Sequence, residues 1–411
     1  MRFPEFTEEW ETKKLGEVMY FKVTNSFSRE NLNYESGTVK NIHYGDVHTK
    51  FQTLFDVTKE MVPFINDEVN VERILDENYC REGDVIFADA SEDLNDVGKS
   101  IEVINVNGEK VLSGLHTLLA RPQNNVFHLG FNGYLFKSSR VRTQIQKESQ
   151  GSKVLSINTG RISKIELSFP SVNEQERITT LLSLLDERIQ TQNKIINDLK
   201  TLKSTISKKI FSQDLRFKSD NGNDYPEWES KKLGEVLEIQ GGYAFKSSSF
   251  NQGNTKVIRI GDIEPRIKLQ NFSGVYSHEI PNEKYIVKKN DFVMALSGAT
   301  FGKVGKILDY GIAYINQRVA LFKTEQCIEF FYQLVLIEDF KNYIASIPTA
   351  SAQPNISNND ITNYRTAIPC IAEQQKIANF LSSIDTKVDT ETQLLNKLEK
   401  QKKFLLQQMF V

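Results

Sequence analysis

Trp10-Glu-Thr-Lys-Lys-Leu-Gly-Glu-Val18 returns later in the chain as Trp228-Glu-Ser-Lys-Lys-Leu-Gly-Glu-Val236. A chance match of that length is negligible, so the chain carries an internal duplication. A second pair of landmarks follows each copy: Pro170-Ser-Val-Asn-Glu-Gln-Glu-Arg-Ile178 and Pro369-Cys-Ile-Ala-Glu-Gln-Gln-Lys-Ile377. Between landmarks the two copies differ in length and sequence. The frame is repeated and its contents are not.

Each proline opens a long helical pattern, at a position where its missing N–H does no harm. In the first copy Ile178, Leu182, Leu185, Ile189, Gln192, Ile196, Leu199, Lys203, Ile206 and Ile210 step by alternating fours and threes. In the second, Ile377, Leu381, Ile384, Val388, Glu391, Leu395, Leu398, Lys402, Leu405 and Met409 do the same. This is a heptad seam. Its polar breaks fall at equivalent places, Gln192 with Glu391 and Lys203 with Lys402. A seam of thirty-odd residues exceeds what one helix covers on a compact domain. The two seams are therefore expected to pair as a coiled coil of helices roughly 60 Å long.

The segments between landmarks hold short β-rich runs, such as Lys256-Val-Ile-Arg-Ile260, Phe292-Val-Met-Ala-Leu296 and Ala313-Tyr-Ile315, with a short helix expected from Glu329 to Ile344. Two α+β domains follow from this mixture. Asp214-Leu-Arg-Phe-Lys-Ser-Asp-Asn-Gly-Asn-Asp224 is rich in turn formers and reads as a linker. The expected division is 1–170, a first helix 171–214, a linker 215–227, a second domain 228–369 and a second helix 370–411.

With 411 residues, 39% of them hydrophobic and 25% charged, the chain suits two or three soluble domains. No apolar run spans a bilayer, and the start Met1-Arg2-Phe3-Pro4-Glu5 has no apolar signal core, so a cytoplasmic protein is expected. Cys80, Cys327 and Cys370 are scattered without a CxxC pair, and His43 and His48 have no Glu or Cys at ligand spacing, which points away from a metal site. The net charge of −2 does not by itself suggest nucleic acid. If the chain touches DNA, other subunits are expected to supply much of the phosphate neutralisation.

Catalytic signatures are missing. The Asn/Asp-Pro-Pro-aromatic turn of amino-methyltransferases is absent, since no two prolines are adjacent. Gly98-Lys99-Ser100 has Asp93 where a P-loop needs its first glycine, and Gly302-Lys303-Val304 lacks the Ser/Thr as well. The Glu-x-Lys triplets at Glu11 and Glu229 have no upstream Pro-Asp. They fall in what reads as a repeated helical start, where solvated charges are expected.

Taken in order, these landmarks resemble the specificity subunit of Type I restriction-modification systems over almost the whole chain. The loop Leu296-Ser-Gly-Ala-Thr-Phe-Gly-Lys-Val304 followed by Ile315-Asn-Gln-Arg-Val319 is similar to that family's second-domain pattern. Phe87-Ala-Asp-Ala-Ser-Glu-Asp93 and Gly114-Leu-His-Thr117 occupy the matching places in the first domain. The resemblance implies an α+β fold: two target-recognition domains separated by two long antiparallel coiled-coil helices, in a pseudo-twofold internal repeat. It implies a non-catalytic chain that binds double-stranded DNA, each domain reading half of a bipartite target and the helices acting as a ruler. Its implied partners are two adenine-methylating modification subunits, which carry S-adenosylmethionine, and motor-nuclease restriction subunits, which use ATP and Mg. No cofactor is implied for the chain itself. A self-contained methyltransferase or nuclease would reveal itself by activity of the isolated chain, and a protein-binding scaffold by failure to shift DNA.

Base readout needs hydrogen-bonding side chains on loops that enter a groove. In the second domain the candidates are Ser297, Thr300 and Lys303, then Gln317 and Arg318, with Lys246 (beside Gly241-Gly242-Tyr243), Ser351 and Gln353 behind them. In the first they are Ser91, Lys99, His116 and Lys153.

Overall fold

The computed structural model describes residues 2–123, 125–347 and 355–410. The chain forms two compact units, Met1–Asn193 with Gln393–Val411, and Lys194–Thr392.

The first unit is built on a five-stranded sheet whose strands lie in the order Met19–Lys22, Thr117–Pro122, Val85–Ala88, Ser100–Asn105, Leu54–Asp56. Val85-Ile-Phe-Ala88 is buried along its whole length. Successive side chains of a strand point to opposite faces. Val85 and Phe87 accordingly join a core with Tyr134, Ile178, Leu182, Leu405 and Met409. Ile86 and Ala88 join a second core with Val47, Phe55, Ile101 and Leu119. A four-stranded sheet, Lys110–Ser113, Val39–Ile42, Phe64–Ile65 and Leu32–Asn33, contributes Ile42 and Val111 to that second core.

The second unit repeats this plan. Its five-stranded sheet runs Glu238–Gly241, Val319–Lys323, Phe292–Ala295, Val304–Ile307, Arg266–Ile267. Phe292 and Met294 enter one core, Val293 and Ala295 the other. Its four-stranded sheet keeps the parallel pair, Val257 beside Tyr314, as Val39 is beside Lys110. The outer strand differs: Ile286–Val287 pairs with Ala313–Ile315, where the first unit has only the bridge of Tyr79 to Leu112. The span expected to be one helix from Glu329 to Ile344 is two, Ile328–Leu334 and Glu338–Ser346.

The repeated Trp-x-x-Lys-Lys segment is a strand and not a helical start. Glu11–Lys14 pairs with Glu166–Phe169, and Glu229–Lys232 with Arg365–Ile368. The strand ties each domain's beginning to the residues just before its long helix. The helices themselves, α1 (Val172–Phe211) and α2 (Ile371–Gln408), begin as the prolines indicate. In the first unit the start of α1 (Ile178, Leu182) packs with the end of α2 (Leu405). In the second the end of α1 (Ile206, Ile210) packs with the start of α2 (Ile377, Leu381). Within each unit the pairing is thus antiparallel.

The Glu-Gln pair at each helix start is a clamp. Glu174 accepts Arg2 through both carboxylate oxygens at 2.8 and 2.7 Å, and Glu373 accepts Arg216 at 3.3 and 2.9 Å. Gln175 donates to Pro170 O and Gln374 to Pro369 O, each at 2.9 Å. The segment 215–227, expected as a linker, is therefore anchored through Arg216, and Phe217 packs on the core of its unit. Arg2-Phe3 and Arg216-Phe217 extend the internal repeat upstream of Trp10 and Trp228.

Candidate nucleic-acid interface

In the second unit four segments meet at one end of the five-stranded sheet. Strand Phe292–Ala295 runs into the loop 296–303, which closes through Ala295 N–H to Lys303 O and Gly302 N–H to Ala295 O, both 2.9 Å. Gly298 and Gly302 have φ of +78° and +73°, the region that favours glycine. The turn 316–318 is tied to that loop by Leu296 N–H to Arg318 O, and to strand Phe250–Ile258 by Asn316 N–H to Ile258 O, each 2.9 Å. The turn 259–262 adds Asp262 N–H to Arg259 O at 2.9 Å, and Ile356 N–H reaches Leu296 O at 3.0 Å. A cleft of about 350 Å³ opens between the turns 259–262 and 316–318, lined by Arg259, Ile260, Gly261, Asn316, Gln317 and Arg318.

The first unit rebuilds this junction bond for bond. Ala88 N–H reaches Lys99 O, Gly98 N–H reaches Ala88 O, and Ile157 N–H reaches Asp89 O, all at 2.8 Å. Asp89 N–H reaches His116 O at 3.0 Å, while Gly114 N–H to Ile42 O and Asp46 N–H to His43 O are 2.9 Å. Lys99 is thus the counterpart of Lys303, His116 of Arg318, and His43 of Arg259.

The side chains carried on this shared backbone differ. Arg318 is exposed and donates from Nη1 to Asn355 Oδ1 at 3.2 Å. Arg259 is held by Asp262 through Nε and Nη2, at 2.9 and 3.1 Å. In the first unit the rings of His43, His116 and His48 surround Tyr44, with centroids 4.6, 5.3 and 5.9 Å from it. His116 lies at φ +53° with Nδ1 3.2 Å from Asp89 Oδ1. His43 is buried; burial, with the Arg29 charge nearby, pushes its imidazole down to about 4. It is therefore neutral at pH 7, and its Nδ1 accepts the Gly45 N–H at 3.1 Å. Desolvation raises the Asp89 carboxyl, and His116 opposes the shift.

The candidate residues fall unevenly on these junctions. Gln317 and Arg318 line the cleft. Ser297 is bridged to Asn355. Lys303 donates to Glu264 Oε1 at 3.0 Å, and Lys99 to His48 O at 2.5 Å, so both ammonium groups are engaged within the chain. The Thr300 hydroxyl is buried, with no hydrogen-bond partner among the described residues. Ser91 pairs with Leu155 and accepts the Asp93 N–H at 3.0 Å. Lys153 is exposed on the neighbouring loop. Lys246 is exposed, and its backbone N–H is held by Glu279 at 3.0 Å. Ser351 and Gln353 lie outside the described residues.

Arg259, Asn316 and Asn355, with His43 and Tyr44, were not among the candidates read from sequence. A signal for the first turn was present: Ile42-His-Tyr-Gly-Asp46 and Ile258-Arg-Ile-Gly-Asp262 are one more repeated landmark. Cations near the junctions are largely paired within the chain, as where Arg29 and Lys50 both meet Asp46, at 2.8 and 2.9 Å. Among the described residues no group of three or more His, Cys, Asp or Glu is placed to hold a metal ion. None of their helices is long and apolar enough to cross a membrane.

Comparison with known proteins adds the following. The family described as Type I restriction modification DNA specificity domain matches residues 7–201 and 225–400. The chain is 29% identical over 290 residues to the Type I restriction enzyme MjaVIII specificity subunit of Methanocaldococcus jannaschii, covering 66% of this chain and 68% of that protein. Among solved structures it resembles the S subunit of a Type I restriction-modification system from M. genitalium, at 15% identity and TM-score 0.60, with 100% of this chain and 99% of that one covered. It also resembles a chain from a study of complex assembly and conformational transition in the type I R-M system, at 16% identity and TM-score 0.56, with 98% and 97% covered. At these identities the structural likeness speaks for the fold.

Proposed function

The chain belongs to the Type I restriction modification DNA specificity family, and we propose that its two units read the two halves of a bipartite double-stranded DNA target. The chain is the specificity subunit, a DNA-recognition component without catalysis of its own. Its partners are DNA and the modification and restriction subunits. Our reading assigns two adenine-methylating subunits, which bring S-adenosylmethionine, and motor-nuclease subunits, which bring ATP and Mg. It also assigns base or phosphate contact to the exposed candidates Gln317, Arg318 and Lys246 in the second unit and His116 and Lys153 in the first, with the half-buried Ser297 and Ser91 beside them.

One observation carries this reading. The same backbone junction is built twice, bond for bond, and carries different side chains each time. Such an arrangement suits a reader of two different sequences, because a common framework sets the reading position while side chains choose the base. At the junctions Lys303 pairs with Glu264 and Arg259 with Asp262, which suits a reader whose partners supply much of the phosphate neutralisation.

The test uses the full chain co-purified with a modification subunit and a pool of randomised duplexes. The complex should select, and methylate, a motif of two short halves with an unspecific gap. The chain alone should neither methylate nor cleave. Selection of no sequence, or methyl transfer by the homogeneous isolated chain, would overturn the proposal.

A further inference from the structure

We propose that Arg318 reads a guanine in one half of the target and that Asn355 is the positioning residue that fixes its guanidinium for the task. This inference rests on the DNA-reading function proposed above and assigns the base chemistry of one position within it.

Arg318 sits on the turn 316–318, whose backbone is locked on both sides by the Leu296–Arg318 and Asn316–Ile258 bonds. Its side chain is exposed, and the bond from Nη1 to Asn355 Oδ1 occupies one donor. Because a guanidinium offers only donors, Asn355 must turn its oxygen toward it. Asn355 is in turn paired by backbone with Ser297 on the reading loop. The guanidinium is therefore steadied from a neighbouring segment, and no described residue accepts a hydrogen bond from its Nε and Nη2 edge, a planar fork. Guanine alone presents two acceptors, O6 and N7, in the major groove. Adenine sets a donor beside its N7, and the pyrimidines lack a matching acceptor pair.

The first unit argues against the simpler role of a phosphate anchor. A phosphate contact shared by both halves would place a permanent cation at both equivalent positions. The counterpart of Arg318 is His116, which faces Asp89 and the ring of Tyr44. An imidazole with one nitrogen turned to a carboxylate has a single nitrogen left and cannot make the bidentate contact. On one framework, then, the position carries a fork in one unit and a single-point contact in the other, as expected of a position that chooses bases. Arg259 across the cleft is already clamped by Asp262, so of the two arginines lining the cleft Arg318 is the one whose fork no described residue takes.

The experiment selects randomised duplexes with the full chain and its modification subunit, at one fixed salt concentration, for wild type, Arg318→Ala, Arg318→Lys and Asn355→Ala. The wild-type motif should contain a guanine whose preference falls roughly ten- to a hundredfold in Arg318→Ala, every other position in both halves being kept. Arg318→Lys should keep overall binding within a few-fold and still lose that preference, which separates readout from misfolding. Asn355→Ala should weaken the same preference several-fold and no other. Even weakening of all duplexes by Arg318→Ala, with a shallower salt dependence, would make Arg318 a phosphate contact and overturn the inference. Relaxation at a base other than guanine would overturn it as well, and an unchanged Asn355→Ala motif would remove the positioning role. If the wild-type complex selects no sequence, the DNA-reading proposal itself fails, and this inference with it.

Discussion

Lys203 donates from Nζ to both carboxylate oxygens of Asp385 at 2.7 Å, and its repeat counterpart Lys402 pairs with Asp186, the counterpart of Asp385. The lysines that interrupt each hydrophobic seam are thus not tolerated gaps. Each closes a partly buried ion pair within its own unit. A further donor shares each carboxylate: Tyr134 Oη on Asp186 at 3.0 Å, Gln333 Nε2 on Asp385 at 2.9 Å.

Removing one partner should leave the other charge uncompensated. Lys203→Met is expected to destabilise the second unit by about 1–3 kcal/mol, read as a shift of its urea midpoint. Asp385→Asn should cost a similar amount. The double variant should cost less than the sum, since the pair is then removed whole. Strict additivity would show that the contact contributes nothing to stability.

Arg121 is a stronger dependency, confined to the first unit. It donates to Asp84 at 2.7 Å twice and to the carbonyls of Glu77 and Tyr79 at 2.9 Å, with 9% of its side chain exposed against 1% for Asp84. Arg121→Leu should cost about 3–5 kcal/mol, because a buried carboxylate and two carbonyls lose their partner. The equivalent Lys323 in the second unit donates to Lys284 O at 3.4 Å and meets Asp291, the counterpart of Asp84, as a nearby charge without a side-chain hydrogen bond among the described residues. Lys323→Leu should stay within about 0.5 kcal/mol. Thermal unfolding of the two variants side by side checks the contrast.

The pH response of the first unit should carry the mark of Glu102. This fully buried side chain accepts the N–H groups of Gly130 and Gly133 at 2.8 and 2.7 Å, yet desolvation pushes its carboxyl up to about 8 from an ordinary value of 4.5. The folded state then holds a proton that the unfolded state releases. The associated stability is complete below pH 4.5 and is lost as pH rises through 8. His43, pushed down to about 4, works in the opposite sense but only below its ordinary 6.5. Lys137, pushed down to about 7 from an ordinary 10.5 by burial, also opposes it, from pH 7 upward, so the Glu102 effect should stand alone between pH 6.5 and 7, and denaturation curves should show falling stability there. Glu102→Gln should remove that slope; an unchanged slope would assign it to other groups.

Gly242 is held by a close approach. A Cβ built on it would lie 1.9 Å from Asn316 O and 2.4 Å from Asn316 C. Gly242→Ala must therefore push back the turn that carries Gln317 and Arg318. It should destabilise the second unit by about 1–3 kcal/mol and degrade recognition of one half-target, with the other half read as before. Gly261, where an added Cβ would meet nothing within 4 Å, is the matched control for stability alone, since it lines the cleft. Melting of both variants and duplex selection with Gly242→Ala would check this.

What the sequence by itself determined is the periodic and the repeated. The seams from Ile178 and Ile377 were legible because a helix face recurs every three to four residues, and this needs no knowledge of the partner. The duplicated landmarks revealed two equivalent domains for the same reason. The helical reading of Glu11–Lys14 failed because a short, exposed, charged run has no period of its own. Its strand state comes from pairing with Glu166–Phe169, more than a hundred residues away. The reading junction was beyond sequence in the same sense. Arg318 was identifiable as an arginine on a turn and His116 as lying in the matching segment, which the backbone bonds bear out, but Asn355 became the partner of Arg318 only through the Ser297 bridge. Lys99, Lys303 and Thr300 look like free polar groups on flexible loops until the fold supplies His48 O, Glu264 and a buried wall around them. Local periodicity is encoded along the chain. Which donor meets which acceptor is decided by segments that are distant in sequence and adjacent only when folded.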